Sequence, residues 1–207
     1  MHSELWGPGL WHILFAAAWN GPETTDSPLT KLRRLLALTG ELLPCQSCRQ
    51  NHVAHHAALT RRHGRPNSCG KIFEYLFYLK DEVNRTIAGE RHRRKLSCRS
   101  PPLERILERY SLRGDVVDES LVVDTLLMVA IDADQRDKHA EFREFCQLAA
   151  QLLPETRGSP LRACLQATAQ GSVVVAARRS YSVVRKFHGL PVLRLTDFRR
   201  QLRLDES

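Results

Sequence analysis

The 207-residue chain is poor in the residues that break or thin a globular fold. It has only 10 Pro and 11 Gly, too few for a low-complexity chain. With 43% apolar and 26% charged residues, global disorder and a fibrous repeat are also excluded. No apolar run is long enough to cross a bilayer. The run over residues 10–19 is short and interrupted by His12, and the run over 121–131 is broken by Asp124. No Lys or Arg precedes the first run, so a secretory signal is not expected and the default is a soluble protein. No internal period of about 20–50 residues appears, which rejects a repeat array.

Charge is present, and it is uneven. The chain carries 31 Lys and Arg against 23 Asp and Glu, a formal net charge of +8. Almost all of the excess lies in residues 1–102. Seven of the nine His lie there too. A mild basic bias favours acidic or phosphate-bearing partners, and alone it is weak evidence. Basic pairs such as Arg33-Arg34 and Arg61-Arg62 are scattered, and neither helix-turn-helix nor zinc-finger spacing is present. A nucleic-acid or anion-binding helical module is therefore the alternative, and a nucleic-acid partner is not expected.

Periodicity predicts an all-α fold. A helix begins near Leu10, after Gly7-Pro8-Gly9, and ends at Asn20-Gly21-Pro22. A second follows a cap at Ser27 or Thr30. A third runs from Cys45 to about Arg62, and residues 64–70 form a loop. A fourth spans about 71–88, with Ile72, Leu76, Leu79, Val83 and Ile87 on one stripe and Phe73, Phe77, Lys80 and Asn84 on the next. The basic run from Arg91 to Lys95 and Ser100-Pro101-Pro102 read as a linker. Beyond it, Asp118 or Ser120 starts a helix through Ile131. Phe142, Phe145, Ala149 and Leu152 share a helical face. Two more helices cover 161–170 and 172–187, although Val173 to Val175 alone could form a strand. The chain thus divides into a domain over 1–98 and a second helical domain over 103–207.

Six cysteines are present: Cys45, Cys48, Cys69, Cys98, Cys146 and Cys164. Cys45-Gln46-Ser47-Cys48 is the one close pair. A CxxC can bind zinc, exchange disulfides, or arise by chance. His52, His55 and His56 follow on the same helical face. Yet at about 1.5 Å rise per residue, Cys45 and His52 stand roughly 10 Å apart along the axis. Zinc needs its ligands about 2.0–2.3 Å away, and no second CxxC exists, so no metal is expected. The three His are read as a solvated basic face. The redox alternative has better physics, because a Cys at a helix start gains thiolate character from the helix dipole. Pro44 suits that start. The aromatic-Gly-Pro core of a thioredoxin is absent.

Three blocks, in order and spacing, are more specific than any one. They are Trp6-Gly7-Pro8-Gly9-Leu10-Trp11-His12-Ile13-Leu14-Phe15, then Leu43-Pro44-Cys45-Gln46-Ser47-Cys48-Arg49, then Tyr75-Leu76-Phe77-Tyr78-Leu79-Lys80-Asp81-Glu82-Val83-Asn84-Arg85. Together they resemble the FAD-linked sulfhydryl oxidases of the Erv/ALR family, over about residues 3–98. The WG…W opening and the CxxC followed by Arg look most like compact versions encoded by large DNA viruses.

The resemblance implies a four- or five-helix bundle that binds FAD and forms a homodimer. It implies a thiol oxidase that makes disulfides in protein substrates and passes electrons through the CxxC and FAD to oxygen, giving hydrogen peroxide. Cys45 would exchange with substrate and Cys48 would face the flavin. Cofactor contacts would fall on Gly7, Pro8, Trp11 and Phe15 in the first block. In the third they would fall on Phe77, Lys80, Asp81, Val83 and Asn84, and on Ile87 just beyond it. Lys80 stands where His is frequent, Phe15 likewise, and Pro8 where Arg is common. Arg85, Arg91 or Lys95 could supply the phosphate contact that Pro8 lacks. Taken singly, Trp11, Phe15 and Phe77 read as ordinary core, and only the three blocks together favour a cofactor role. The resemblance further implies a structural disulfide between Cys69 and Cys98. Cys146 and Cys164 are left as a disulfide, a shuttle pair or two free thiols. The implied location is the host cytoplasm or the virion, with the mitochondrial intermembrane space as alternative. An inactive, oxidase-like interaction protein is the remaining reading.

Overall fold

In the computed structural model, residues 3–20, 26–92, 117–154, 158–194 and 196 are described. They form eight α-helices, and no strand occurs among them: α1 (Ser3–Asn20), α2 (Asp26–Leu42), α3 (Gln46–His63), α4 (Cys69–His92), α5 (Glu119–Gln135), α6 (His139–Leu152), α7 (Leu161–Gln170) and α8 (Val173–Phe187). The all-α expectation holds. None of these helices is long and apolar enough to cross a membrane.

The first helix departs from expectation. It begins at Ser3 and carries Pro8 inside it, rather than starting near Leu10. Proline removes one backbone donor and crowds the preceding turn. Pro8 is exposed, so that face of the turn is solvated and the defect is tolerated. Every side chain from Ile13 to Ala18 is buried. An apolar helix without a polar face has neighbours on all sides, and α1 packs against α2, α4, α5 and α6.

The second-half helices follow their periodicity more closely. Asp118 caps α5, its side chain accepting from Leu121 N–H at 3.1 Å. The helix runs past Ile131 to Gln135. Phe142, Phe145, Ala149 and Leu152 are all buried on α6. Val173 to Val175 open α8 and form no strand, because Ala176 to Arg179 continue the helix and Val173 and Ala177 share its inward face.

Side-chain contacts fix the helix directions. On α5, Thr125 Oγ1 donates to Trp6 O at 3.5 Å, and Asp118 N–H donates to His12 Nε2 at 2.8 Å. As α1 ascends, α5 descends, so the two are antiparallel. Likewise Phe73 meets Trp19 and Phe15, at 5.6 and 5.0 Å between centroids, while Lys80 lies over Phe15. Thus α1 and α4 are antiparallel as well. Along α3 and α4, His63 stacks on Tyr78 at 4.8 Å, and Thr86 Oγ1 lies 3.1 Å from His55 Nε2, again antiparallel. Arg136, at the end of α5, donates to Glu41 O at the end of α2 at 3.0 Å. The start of α1, the end of α2, the start of α3, and the ends of α4 and α5 therefore lie at one end of the bundle.

One hydrophobic core runs through both halves of the chain, from Trp6 to Val184. The expected boundary near residues 98–103 lies outside the described residues. Helices from either side of it pack directly, α1 on α5 and α2 on α6. Gly9 makes the first contact possible. A Cβ there would overlap Thr125 Oγ1 and stand 2.8 Å from Leu121 O.

Candidate functional site

The CxxC lies at the start of α3. Pro44 is buried, and Cys45 is the N-cap in extended conformation, with φ −104° and ψ 126°. The helix itself begins one residue later, at Gln46. Cys45 and Cys48 are joined as a disulfide with Cα atoms 5.1 Å apart. Cys45 Sγ accepts from Cys48 N–H at 3.2 Å, and the Ser47 hydroxyl lies 3.0 Å away. Both cysteines are half-buried and rest against the core. A sulfur at this position sees open helix N–H groups and the positive end of the dipole. The arrangement can stabilise a thiolate and leaves the bond open to attack.

Arg49 follows at once. It is half-buried and donates from Nη1 to Leu43 O at 2.6 Å, which ties the first turn of α3 to the loop before it. Burial pulls its guanidinium below the usual range, the Arg136 charge adds to that, and Asp132 opposes it. Arg136 in turn donates from Nε to Asp132 Oδ2 at 2.6 Å. Burial raises the Asp132 carboxyl, against the pull of Arg136 and Arg49. The charges on the last turn of α5 thus act on Arg49, and Arg136 itself donates to Glu41 O at the end of α2. The α5 pair stands at i, i+4 spacing and was visible as such. Its reach to Arg49 was not.

The histidines correct the sequence reading. They do not form a solvated face. His52 is 8% exposed, its Nε2 has no hydrogen-bond partner among the described residues, and its ring fills the notch left by Gly40 on α2. A Cβ on Gly40 would stand 2.6 Å from His52 Nδ1. Burial, with help from the charges of His56 and His55, lowers the imidazole to about 4. His56 packs edge-on against Tyr75 at 5.3 Å, and His55 meets Thr86. The face points at α2 and α4. A glycine inside a leucine-rich helix was the available signal for that close approach. Among the described residues, no three His, Cys, Asp or Glu gather as a metal site.

The residues expected around a cofactor fall on α1 and α4. Trp11 is half-buried, 6.3 Å from Phe15. Phe15 is 2% exposed and edge-on to Phe73, and Lys80 Nζ stands 5.6 Å above its ring. Phe15 is therefore a floor beneath Lys80 and has no open face. Phe77, Lys80, Asp81, Val83, Asn84 and Ile87 are all half-buried, whereas Ile72, Phe73, Tyr75, Leu76 and Leu79 are buried. The change divides α4 into a core half and a half-covered one. Asp81 pairs with Arg85 at 2.6 Å, and Arg85 also reaches Glu82, so both ends of that pair are engaged within the helix. Gly7 is buried, with no described atom within 4 Å of a built Cβ, and Pro8 is exposed. By the helix directions, the first half of α1 and the second half of α4 lie toward the end of the bundle that holds the CxxC.

The remaining cysteines separate clearly. Cys69 is buried at the start of α4, and its expected partner Cys98 lies outside the described residues. Cys146 and Cys164 are buried and not disulfide-bonded, which removes the paired alternative. Burial pushes the Cys146 thiol far up, and the Cys164 thiol up, against a lowering hydrogen bond from Ser180. Neither has the exposure of an exchange thiol.

Comparison with protein-family models, with curated proteins and with solved structures finds no match. The functional assignment thus stands on the residues and their arrangement.

Proposed function

We propose that the protein is an FAD-linked thiol oxidase that forms disulfides in protein substrates. What supports this most is one juxtaposition. A CxxC disulfide caps a helix at the bundle end toward which the half-covered part of α4 and the opening of α1 extend. In the exchange, a substrate thiolate attacks Cys45 Sγ, the Cys45–Cys48 bond breaks, and Cys48 departs as a thiolate. A second substrate thiolate then attacks the substrate sulfur of the mixed disulfide and releases Cys45. The substrate gains a disulfide, and two electrons rest on the CxxC pair.

The side chains present on α1 and α4 fit part of FAD. A half-buried indole, an ammonium over an aromatic floor, and an amide one turn further along α4 provide a planar face and polar groups. Trp11, Lys80 and Asn84 would hold it. When bound, FAD supplies a two-electron acceptor that oxygen can regenerate with release of hydrogen peroxide. Lys80 places its ammonium over the Phe15 ring there. Homodimer formation and a viral or host-cytoplasmic setting belong to the same reading.

The test is oxygen uptake with dithiothreitol as electron donor, with peroxide measured alongside. The full chain should consume oxygen, and Cys45→Ser and Cys48→Ser should each abolish uptake. Unchanged uptake in both variants overturns the proposal.

A further inference from the structure

The two residues between the cysteines differ in what they do. Gln46 is exposed and opens the helix. Ser47 places its hydroxyl 3.0 Å from Cys45 Sγ, on the sulfur that already accepts from Cys48 N–H at 3.2 Å. Two donors therefore converge on one sulfur. Only one comes from the backbone and is present in any CxxC helix start. The other is a side chain of this sequence. The disulfide sulfur carries no charge, so the hydroxyl gains little from it in that state. It gains much more once Cys45 becomes a thiolate, because hydrogen bonds to an ion are roughly twice as strong as neutral ones. A donor fixed in place before charge develops needs no reorganisation when it does.

We infer that Ser47 is a positioning residue for thiol exchange, its hydroxyl donating to Cys45 when that sulfur leaves the mixed disulfide. This rests on the proposed exchange role of Cys45 and concerns the second displacement. There, a substrate thiolate forms the product disulfide, the bond between substrate sulfur and Cys45 breaks, and the electron pair stays on Cys45. The co-reactant is a dithiol, and no other oxidant enters the step. A stabilised Cys45 thiolate also favours the reduced CxxC and so makes the pair more oxidising. Ser47 is exposed in the first turn of α3, where Ser→Ala leaves the core untouched.

The experiment needs no flavin and no oxygen. In full-length Cys48→Ser protein, alkylation of Cys45 by iodoacetamide is followed against pH, with the site read by peptide mass spectrometry. Adding Ser47→Ala should move the midpoint of the profile up by roughly 0.5–1 pH unit, and Ser47→Thr should restore most of the shift. In protein with both cysteines, Ser47→Ala should also lower the equilibrium constant for oxidising dithiothreitol by roughly three- to tenfold. A purely structural role would alter the melting curve and leave the midpoint in place. Superimposable profiles with and without the Ser47→Ala substitution, or a Ser47→Thr variant that behaves like Ser47→Ala, would overturn the inference. A folded protein that gains no flavin spectrum when FAD is added and still shows the shift would defeat the flavin reading and leave this one standing.

Discussion

Cysteine serves two regions of this molecule in opposite ways. Cys45 and Cys48 sit at a helix start, half-covered and paired, with donors aimed at the outer sulfur. Cys146 and Cys164 sit inside the α5–α8 half, where burial holds the thiols protonated. The contrast extends to whole elements. In α3 only His52 and Leu59 are buried, whereas twelve residues of α5 are. The start of α3 exposes the groups that can react, and α5 supplies apolar mass. Chemistry needs access and open N–H groups, and a core needs neither. The second half also reaches the CxxC end of the bundle, where Arg136 donates to Glu41 O.

The strongest way to break this comparison is to show that the halves are independent. Phe145 is fully buried on α6, and Phe145→Ala should cost about 3–5 kcal/mol. All three tryptophans, Trp6, Trp11 and Trp19, lie on α1. If one core holds both halves, urea unfolding followed by tryptophan fluorescence should shift by the same amount as unfolding followed by circular dichroism. A fluorescence curve that does not move would separate the halves.

A second effect belongs to the reactive half alone. His52 is neutral in the folded protein down to about pH 4, against an ordinary value of 6.5. Above pH 6.5 neither state carries the proton, and stability is complete. Between 6.5 and about 4 the unfolded chain takes up a proton that the folded chain refuses, so stability falls as pH falls. The whole loss should reach about 3 kcal/mol. Urea midpoints at pH 7 and pH 5 should diverge for the native chain and converge for His52→Gln.

The seam between the halves comes next. Gly9→Ala forces a methyl into Thr125 and the α5 backbone, and should cost about 1–3 kcal/mol. Thr125→Ala in the same chain should recover part of that, measured by chemical denaturation. The smallest effect is at the surface. Arg34 holds Glu144 with two bonds of 2.8 and 2.6 Å between α2 and α6, yet both side chains are about four-tenths exposed. Arg34→Ala should cost no more than about 1 kcal/mol, less in high salt.

The helices were legible because apolar spacing reports a buried face whatever the neighbour is. Phe142, Phe145, Ala149 and Leu152 are the clearest case. Pro8 was misread because a propensity describes a residue alone, while its cost depends on whether the disturbed turn faces water. The three His were misread because spacing shows that side chains share a face and does not say which way it points. Gly40 held that information, but only as a partner for His52. At the site, the CxxC and its helix start were readable as local chemistry. The electrostatic influence of Asp132 and Arg136 was not, since more than eighty residues separate them from Arg49. Ser47 was hidden for a different reason. A serine between two cysteines acquires meaning only when its hydroxyl is seen to point at one of them.

The central claim is that the half-covered surface of α4 and the CxxC serve one cofactor. The most direct measurement is the absorbance of the purified full-length protein from about 300 to 600 nm, repeated after addition of dithiothreitol without oxygen. The account predicts flavin bands that bleach on reduction, and that fail to bleach in Cys48→Ser while the flavin stays bound. A folded, colourless protein that gains no flavin spectrum when FAD is added would contradict it.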